Sequence, residues 1–161
     1  WPKKLTSIFS EAFLNCNNLS ELIFPDSVVS IAGETQWDNA FGGINNIRKV
    51  YVGDKMQDVN FIKNSDFNLN SIEVSEQNEN LTSQDEFGNE CNCVMNIGRE
   101  TLEVGLSNSI ILESITKLED KAFANKTLPT NYEIPANITT LCDSTFFRTK
   151  NGLLPTIHLD I

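Results

Sequence analysis

"LTSIFSEAF" (Leu5 to Phe13) and "ITKLEDKAF" (Ile115 to Phe123) follow one template: an apolar residue, a second three positions on, then Ala-Phe four and five beyond that. "ITTLCDSTF" repeats it with Ile138, Leu141 and Thr145-Phe146. "VVSIAGETQWDNAF" repeats it with Val28, Ile31 and Ala40-Phe41, opened by five extra residues around Trp37. First apolar slots fall at 5 and 28 and again at 115 and 138, a spacing of 23 both times. Self-similarity at a fixed period of this size is the mark of a repeat architecture, in which each unit buries its apolar face only against its neighbours.

A second element follows each Ala-Phe: "LSELIFP" (Leu19 to Pro25), "IRKVYVG" (Ile47 to Gly53), "LNSIEVS" (Leu69 to Ser75) and "LPTIHLD" (Leu154 to Asp160), with "NYEIP" (Tyr132, Ile134) as a looser fifth member. The last two apolar positions of each alternate about one outward residue, as in a half-buried strand. One short strand per repeat predicts a parallel sheet running along a solenoid. In the third unit Met56 and Val59 fill the first slots and Phe67 is expected to pack where Ala-Phe is missing. The segment from Ser75 to about Asn108 is extra. Its "CNCVMN", "IGRE" and "TLEVGL" read as a β-hairpin with Cys91, Cys93 and Met95 facing Leu102, Val104 and Leu106.

A chain of 161 residues suits one domain, 1–161, and is long enough to bury roughly 70% of its unfolded surface. Its net charge of −10 sets it against phosphate backbones and anionic lipid, so nucleic acid and direct membrane insertion are not expected. The start at Trp1-Pro2, without Met, and the stop just after a strand point to a piece of a longer chain. The open repeat ends are where self-association would occur.

The run Phe13, Cys16, Leu19, Leu22, Pro25, Ser27, Val28, Ser30 and Ile31, echoed in "IPANITTL", resembles the BspA-type leucine-rich repeat. The resemblance implies an α/β leucine-rich-repeat solenoid of about five repeats with a parallel sheet and the hairpin inserted near 75–108. It also implies a secreted or cell-surface protein engaged in adhesion, and it brings no catalytic residues.

The residues themselves offer little chemistry. A lone His158, outward on the last strand, lacks a nucleophile motif beside it. Cys91-x-Cys93 lacks the four-ligand pattern of zinc, and parallel Cβ vectors two apart suit core-filling thiols better than a disulfide. Cys16 is expected in a buried slot of the repeat and Cys142 outside it, as a reactive thiol. The acidic stretch from Glu73 to Glu90 lacks a calcium-loop spacing. Four N-x-S/T sequons, at Asn18, Asn80, Asn125 and Asn137, are about what chance supplies among twenty asparagines. No cofactor or metal is expected.

The outward strand positions are more informative. Ile23, Tyr51, Glu73, Glu133 and His158 fall one per repeat, and stacking would put them in a row suited to an extended partner. Ile23 and Tyr51 also have a plain reading as strand formers, which surfaces tolerate singly. Trp37 belongs to the insertion and is surplus to the core template. It either folds back over the neighbouring unit, the behaviour usual for large rings, or is presented to a partner. The expected function is non-enzymatic recognition of a protein or glycan partner, on host matrix or another cell surface, through that row and the Trp37 loop. The alternatives are a spacer without a ligand and, last, a hydrolase.

Overall fold

The computed structural model of the protein describes residues 1–149, so the strand expected at Leu154 to Asp160, with His158, lies outside the described residues. In chain order the elements are β1 (Ser7–Ile8), β2 (Glu21–Ile23), β3 (Ser30–Ile31), β4 (Lys49–Val52), α1 (Asn60–Lys63), β5 (Ser71–Val74), β6 (Leu81–Gln84), β7 (Glu90–Asn96), β8 (Thr101–Val104), β9 (Lys117–Leu118) and β10 (Thr140–Leu141).

Three of the five second elements pair as expected. β2, β4 and β5 form a parallel sheet in which Leu22, Val50 and Ile72 lie side by side and fully buried. The second apolar slots, Ile8, Ile31, Leu118 and Leu141, do more than pack: they close a second set of parallel strands. Ser7 pairs with Ser30 and Lys117 with Thr140, so the 23-residue spacing is the register of this ladder. Each of these strands is two residues long, too short for alternation to reveal it.

The helical half of the expected α/β class shrinks to α1, four residues; the described chain is nearly all sheet and turn. The Ala-Phe segments turn back without winding into helix because left-handed residues interrupt them, on both sides of Phe13, Phe123 and Phe146 and, at Phe41, at Gly43 after it. Glu11 and Asn15 bracket Phe13, Lys121 and Asn125 bracket Phe123, and Ser144 and Arg148 bracket Phe146, all with φ between 53° and 59°. One left-handed residue breaks a right-handed helix. Neighbouring turns then bond to each other, Phe13 N–H to the Ala40 carbonyl and Phe123 N–H to the Thr145 carbonyl, both at 2.8 Å. In the third unit Phe67 reaches the Phe41 ring at 6.3 Å, as expected, and Phe61 of α1 reaches it at 6.0 Å.

The inserted hairpin is present, with β7 antiparallel to β8 and Met95 opposite Leu102. It has a third strand, β6, antiparallel to β7, and β8 continues in parallel to β9, giving the order β10-β9-β8-β7-β6. All six residues expected on its inward face are buried. They divide between two cores: Val104 and Leu106 join the cluster around Phe41, while Cys91, Cys93, Met95 and Leu102 join the one around Phe123. Side chains of the insertion also close the edge of β5. Ile72 N–H donates to Asn92 Oδ1 and Val74 N–H to Ser83 Oγ, each at 2.9 Å, which satisfies an edge that would otherwise stay open to pairing. "NYEIP" does not form a strand. Tyr132 N–H folds back to the Pro129 carbonyl at 3.1 Å, and Pro135 can donate no ladder bond.

Candidate functional site

The parallel register puts Ile23, Tyr51 and Glu73 opposite one another on β2, β4 and β5. Ile23 is half exposed and the other two are partly covered. Lys49, on the same outward face, donates to Glu73 Oε1 at 2.9 Å, and that hydrogen bond holds the Lys49 ammonium above its usual pKa. Among the described residues the row stops there. Glu133 is exposed but sits in the irregular Tyr132–Ile134 segment, on no strand and beyond the β5 edge that the insertion covers. His158 lies outside the described residues.

Trp37 does not fold back. Its ring is 81% exposed, at the apex of a loop that is bonded within itself and pinned at both ends. Asp38 Oδ1 accepts from the Thr35 N–H at 2.7 Å and the Thr35 hydroxyl at 3.0 Å, and Thr35 Oγ1 accepts from the Trp37 N–H at 3.2 Å. On the entering side Asn64 Nδ2 donates to the carbonyls of Gly33 and Glu34, at 2.8 and 3.0 Å. On the leaving side the buried Asn39 donates to the Phe61 carbonyl at 2.7 Å. The template residues Ile31 and Ala40-Phe41 already fill the core, so the insertion has no apolar space left for an indole. Leaving the ring in water forgoes on the order of 2–3 kcal/mol of burial.

Beside this apex the turns of the second half close a groove of about 340 Å³. Its other walls are Phe147 and Arg148 from the turn after Phe146, Lys121 from the turn around Phe123, and Lys63 at the end of α1. Phe147 is about half exposed, and the Arg148 guanidinium lies 5.0 Å from its ring centroid. Lys121 Nζ donates to Asn64 Oδ1 at 2.7 Å, and Lys63 is paired with Glu103 at 2.5 Å. Sequence reasoning missed these four residues. A signal was available: the slot two after the repeat Phe holds Asn15, Gly43 and Asn125 elsewhere, residues at ease in the left-handed region, whereas here it holds Arg148.

The thiols rearrange the expectations. Cys16 is exposed: the following unit meets its turn through the main chain of Phe13, Asn15 and Asn17, and the thiol stays outside that contact. Cys142 is partly covered, and burial together with nearby Glu119 raises its pKa, the opposite of what a reactive thiol needs. Cys91 and Cys93 are buried as core fillers. Among the described residues no three His, Cys, Asp or Glu side chains converge on a metal-sized site, and no helix is long and apolar enough to cross a membrane.

The repeat geometry and the sequence pattern lead to one assignment. The BspA-type leucine-rich repeat region matches residues 1–97 and 94–159, in six copies. The chain belongs to the BspA-type leucine-rich repeat family. Among solved structures this BspA-type chain is similar to a leucine-rich repeat protein from Eubacterium ventriosum, at 19% identity and a TM-score of 0.59, over 82% of this chain and 34% of that one. It also matches the pneumococcal vaccine antigen PcpA, at 18% identity and a TM-score of 0.48, over 94% of this chain and 31% of that one. The BspA-type chain therefore spans about a third of the length of either protein. No curated protein matches it.

Proposed function

We propose that this chain is a non-enzymatic recognition segment of a secreted or cell-surface protein, its repeats stacked as a single solenoid, with the Trp37 loop and the Ile23–Tyr51–Glu73 row contacting a protein or glycan partner. Family membership supports the surface setting. The observation that carries the recognition role is Trp37 itself: a ring 81% exposed on a loop pinned by Asn39 and Asn64 is held out at a fixed place. Exposed aromatics of this kind are enriched at binding hot spots. Tyr51, in register with Ile23, supplies a second anchor on the sheet.

The test is adhesion of the protein to immobilised host matrix and to cells, comparing the parent with the Trp37→Ala, Tyr51→Ala double variant. Adhesion falls at least tenfold while the melting temperature holds within about 2 °C, as expected for surface changes. Unchanged adhesion at unchanged stability would leave the chain a spacer that displays some other segment.

A further inference from the structure

Three features stand apart from the sheet row: the exposed Phe87 at the β6–β7 tip, the acidic side chains around Asp120, and the groove under Trp37. Nothing in the structure indicates a partner for Phe87, and the acids do not form a metal-sized cluster among the described residues. The groove carries an argument.

We infer that the groove between Trp37 and Phe147 binds a sugar that bears a carboxylate, such as a sialic or uronic acid residue at the end of a glycan. This rests on the recognition role proposed above and names the ligand class of its Trp37 loop. Charge is the first reason. The protein carries −10 overall with only twelve basic side chains, yet three of them, Lys63, Lys121 and Arg148, wall this one groove, and no acidic side chain lines it among the described residues; Glu34, Glu103, Glu119 and Asp120 line the neighbouring recess that shares Lys63 and Lys121. Lys63 is largely neutralised by Glu103, so the charges outside an ion pair among the described residues are Lys121, which donates to the neutral Asn64 side chain, and Arg148. A cationic recess in an acidic protein selects an anion.

Ring chemistry is the second reason. Trp37 and Phe147 offer two exposed aromatic faces, and sugar rings present C–H faces that pack on such surfaces. The Arg148 guanidinium lies 5.0 Å from the Phe147 ring centroid, within cation–π reach, and a guanidinium fork takes a carboxylate through two parallel hydrogen bonds. Backbone conformation adds to this. Arg148 occupies a left-handed position, φ 53°, that holds Asn15, Gly43 or Asn125 in the other units, so this cation stands at a slot where the backbone alone would choose otherwise. The groove's volume, about 340 Å³, lies at the low end of ligand sites, which run roughly 300–1,000 Å³, and suits one or two sugar rings. An acidic peptide fits less well. The walls are turns and loop, with no open strand edge for main-chain pairing.

The test is an NMR titration of the full chain with 3′-sialyllactose and with a hyaluronan tetrasaccharide, using lactose and tetraglutamate as controls. Saturable shifts at the Trp37 indole N–H with either acidic sugar, weakened by salt and absent with both controls, are the expected result. Trp37→Ala and Arg148→Gln each weaken binding at least tenfold, Arg148→Lys weakens it less, and Phe87→Ala, at the exposed β6–β7 tip, leaves it unchanged. Unaltered melting temperatures show that the variants fold. Binding of tetraglutamate as tight as that of the sugars reassigns the groove to an acidic peptide and overturns the inference. So does equal binding of lactose, or no binding of either acidic sugar. Loss of adhesion in the Trp37→Ala, Tyr51→Ala variant without acidic-sugar binding would sink the groove assignment while leaving the recognition role standing.

Discussion

The ring of Phe13 lies parallel to that of Phe41, centroids 5.2 Å apart and planes within 7°. Phe123 stacks on Phe146 in the same way, at 5.4 Å and 3°. The repeated Phe is thus a rung that each unit lays on the next, and Phe41 is the most connected of them, also meeting Phe24, Phe61 and Phe67. Truncating a fully buried Phe costs about 3–5 kcal/mol. Phe41→Ala is therefore expected to lower the stability measured by urea unfolding by about that much, and Phe13→Ala by less, since Phe13 is only half buried. Equal losses at the two sites would show that the stack is not organised around Phe41.

Gly33 is where the Trp37 loop leaves the core. A Cβ there would lie 2.3 Å from the Cα of Phe61 in α1, a contact with backbone that cannot be relieved by a side-chain rotation. Gly33→Ala should destabilise by about 1–3 kcal/mol or more. It should also free the loop, read as increased proteolysis between Glu34 and Asp38. A variant as stable as the parent would mean that α1 and the loop are not packed as described.

Thiol chemistry separates the four cysteines. In the native protein iodoacetamide at mildly alkaline pH should modify the exposed Cys16 first and Cys142 slowly, because burial and then Glu119 disfavour the Cys142 thiolate. Cys91 and Cys93, whose pKa values are raised chiefly by burial, should react only after denaturation. Peptide mass spectrometry reads the order directly. Labelling of Cys93 as fast as Cys16 would contradict the second core.

Tyr132 packs on Phe123 with ring centroids 5.5 Å apart, and burial raises its pKa from 10.0 to about 12. The folded state thus favours the neutral phenol. Its contribution to stability is complete below pH 10, the unfolded value, and is lost as pH rises through about 12. Alkaline unfolding should accordingly be shallower in Tyr132→Phe than in the parent over that window. A parent whose stability does not change between those values would remove Tyr132 from the core.

The candidate site was legible in the sequence only where the repeat template pointed to it. Tyr51 and Ile23 could be placed in one row because strand alternation and the repeat period together give the register. Glu133 could not, because the row ends where the insertion covers β5 with the side chains of Asn92 and Ser83. β6 went unseen for a related reason. Its "LTSQ" shows no apolar alternation, yet Ser83 is fully buried, made tolerable by accepting the Val74 N–H and donating to Glu90 Oε2 at 2.8 Å. The many asparagines, unremarkable as sequons, also acquire a role. Asn46, Asn68 and Asn92 each reach the main-chain carbonyl of a neighbouring unit, Asn17, Asn45 and Asn70 respectively, at 2.8–3.1 Å.

By itself the sequence determined the family, the 23-residue register and the residues that fill the core, because burying an apolar side chain at a fixed period constrains neighbouring units in the same way wherever the template recurs. Only the tertiary structure decided what faces water. The exposure of Trp37, the uncovered Cys16 and the gathering of Lys121, Arg148 and Phe147 beside the Trp37 loop depend on which units become neighbours across more than a hundred residues. Those residues repeat nothing and bury little, so no periodicity announces them.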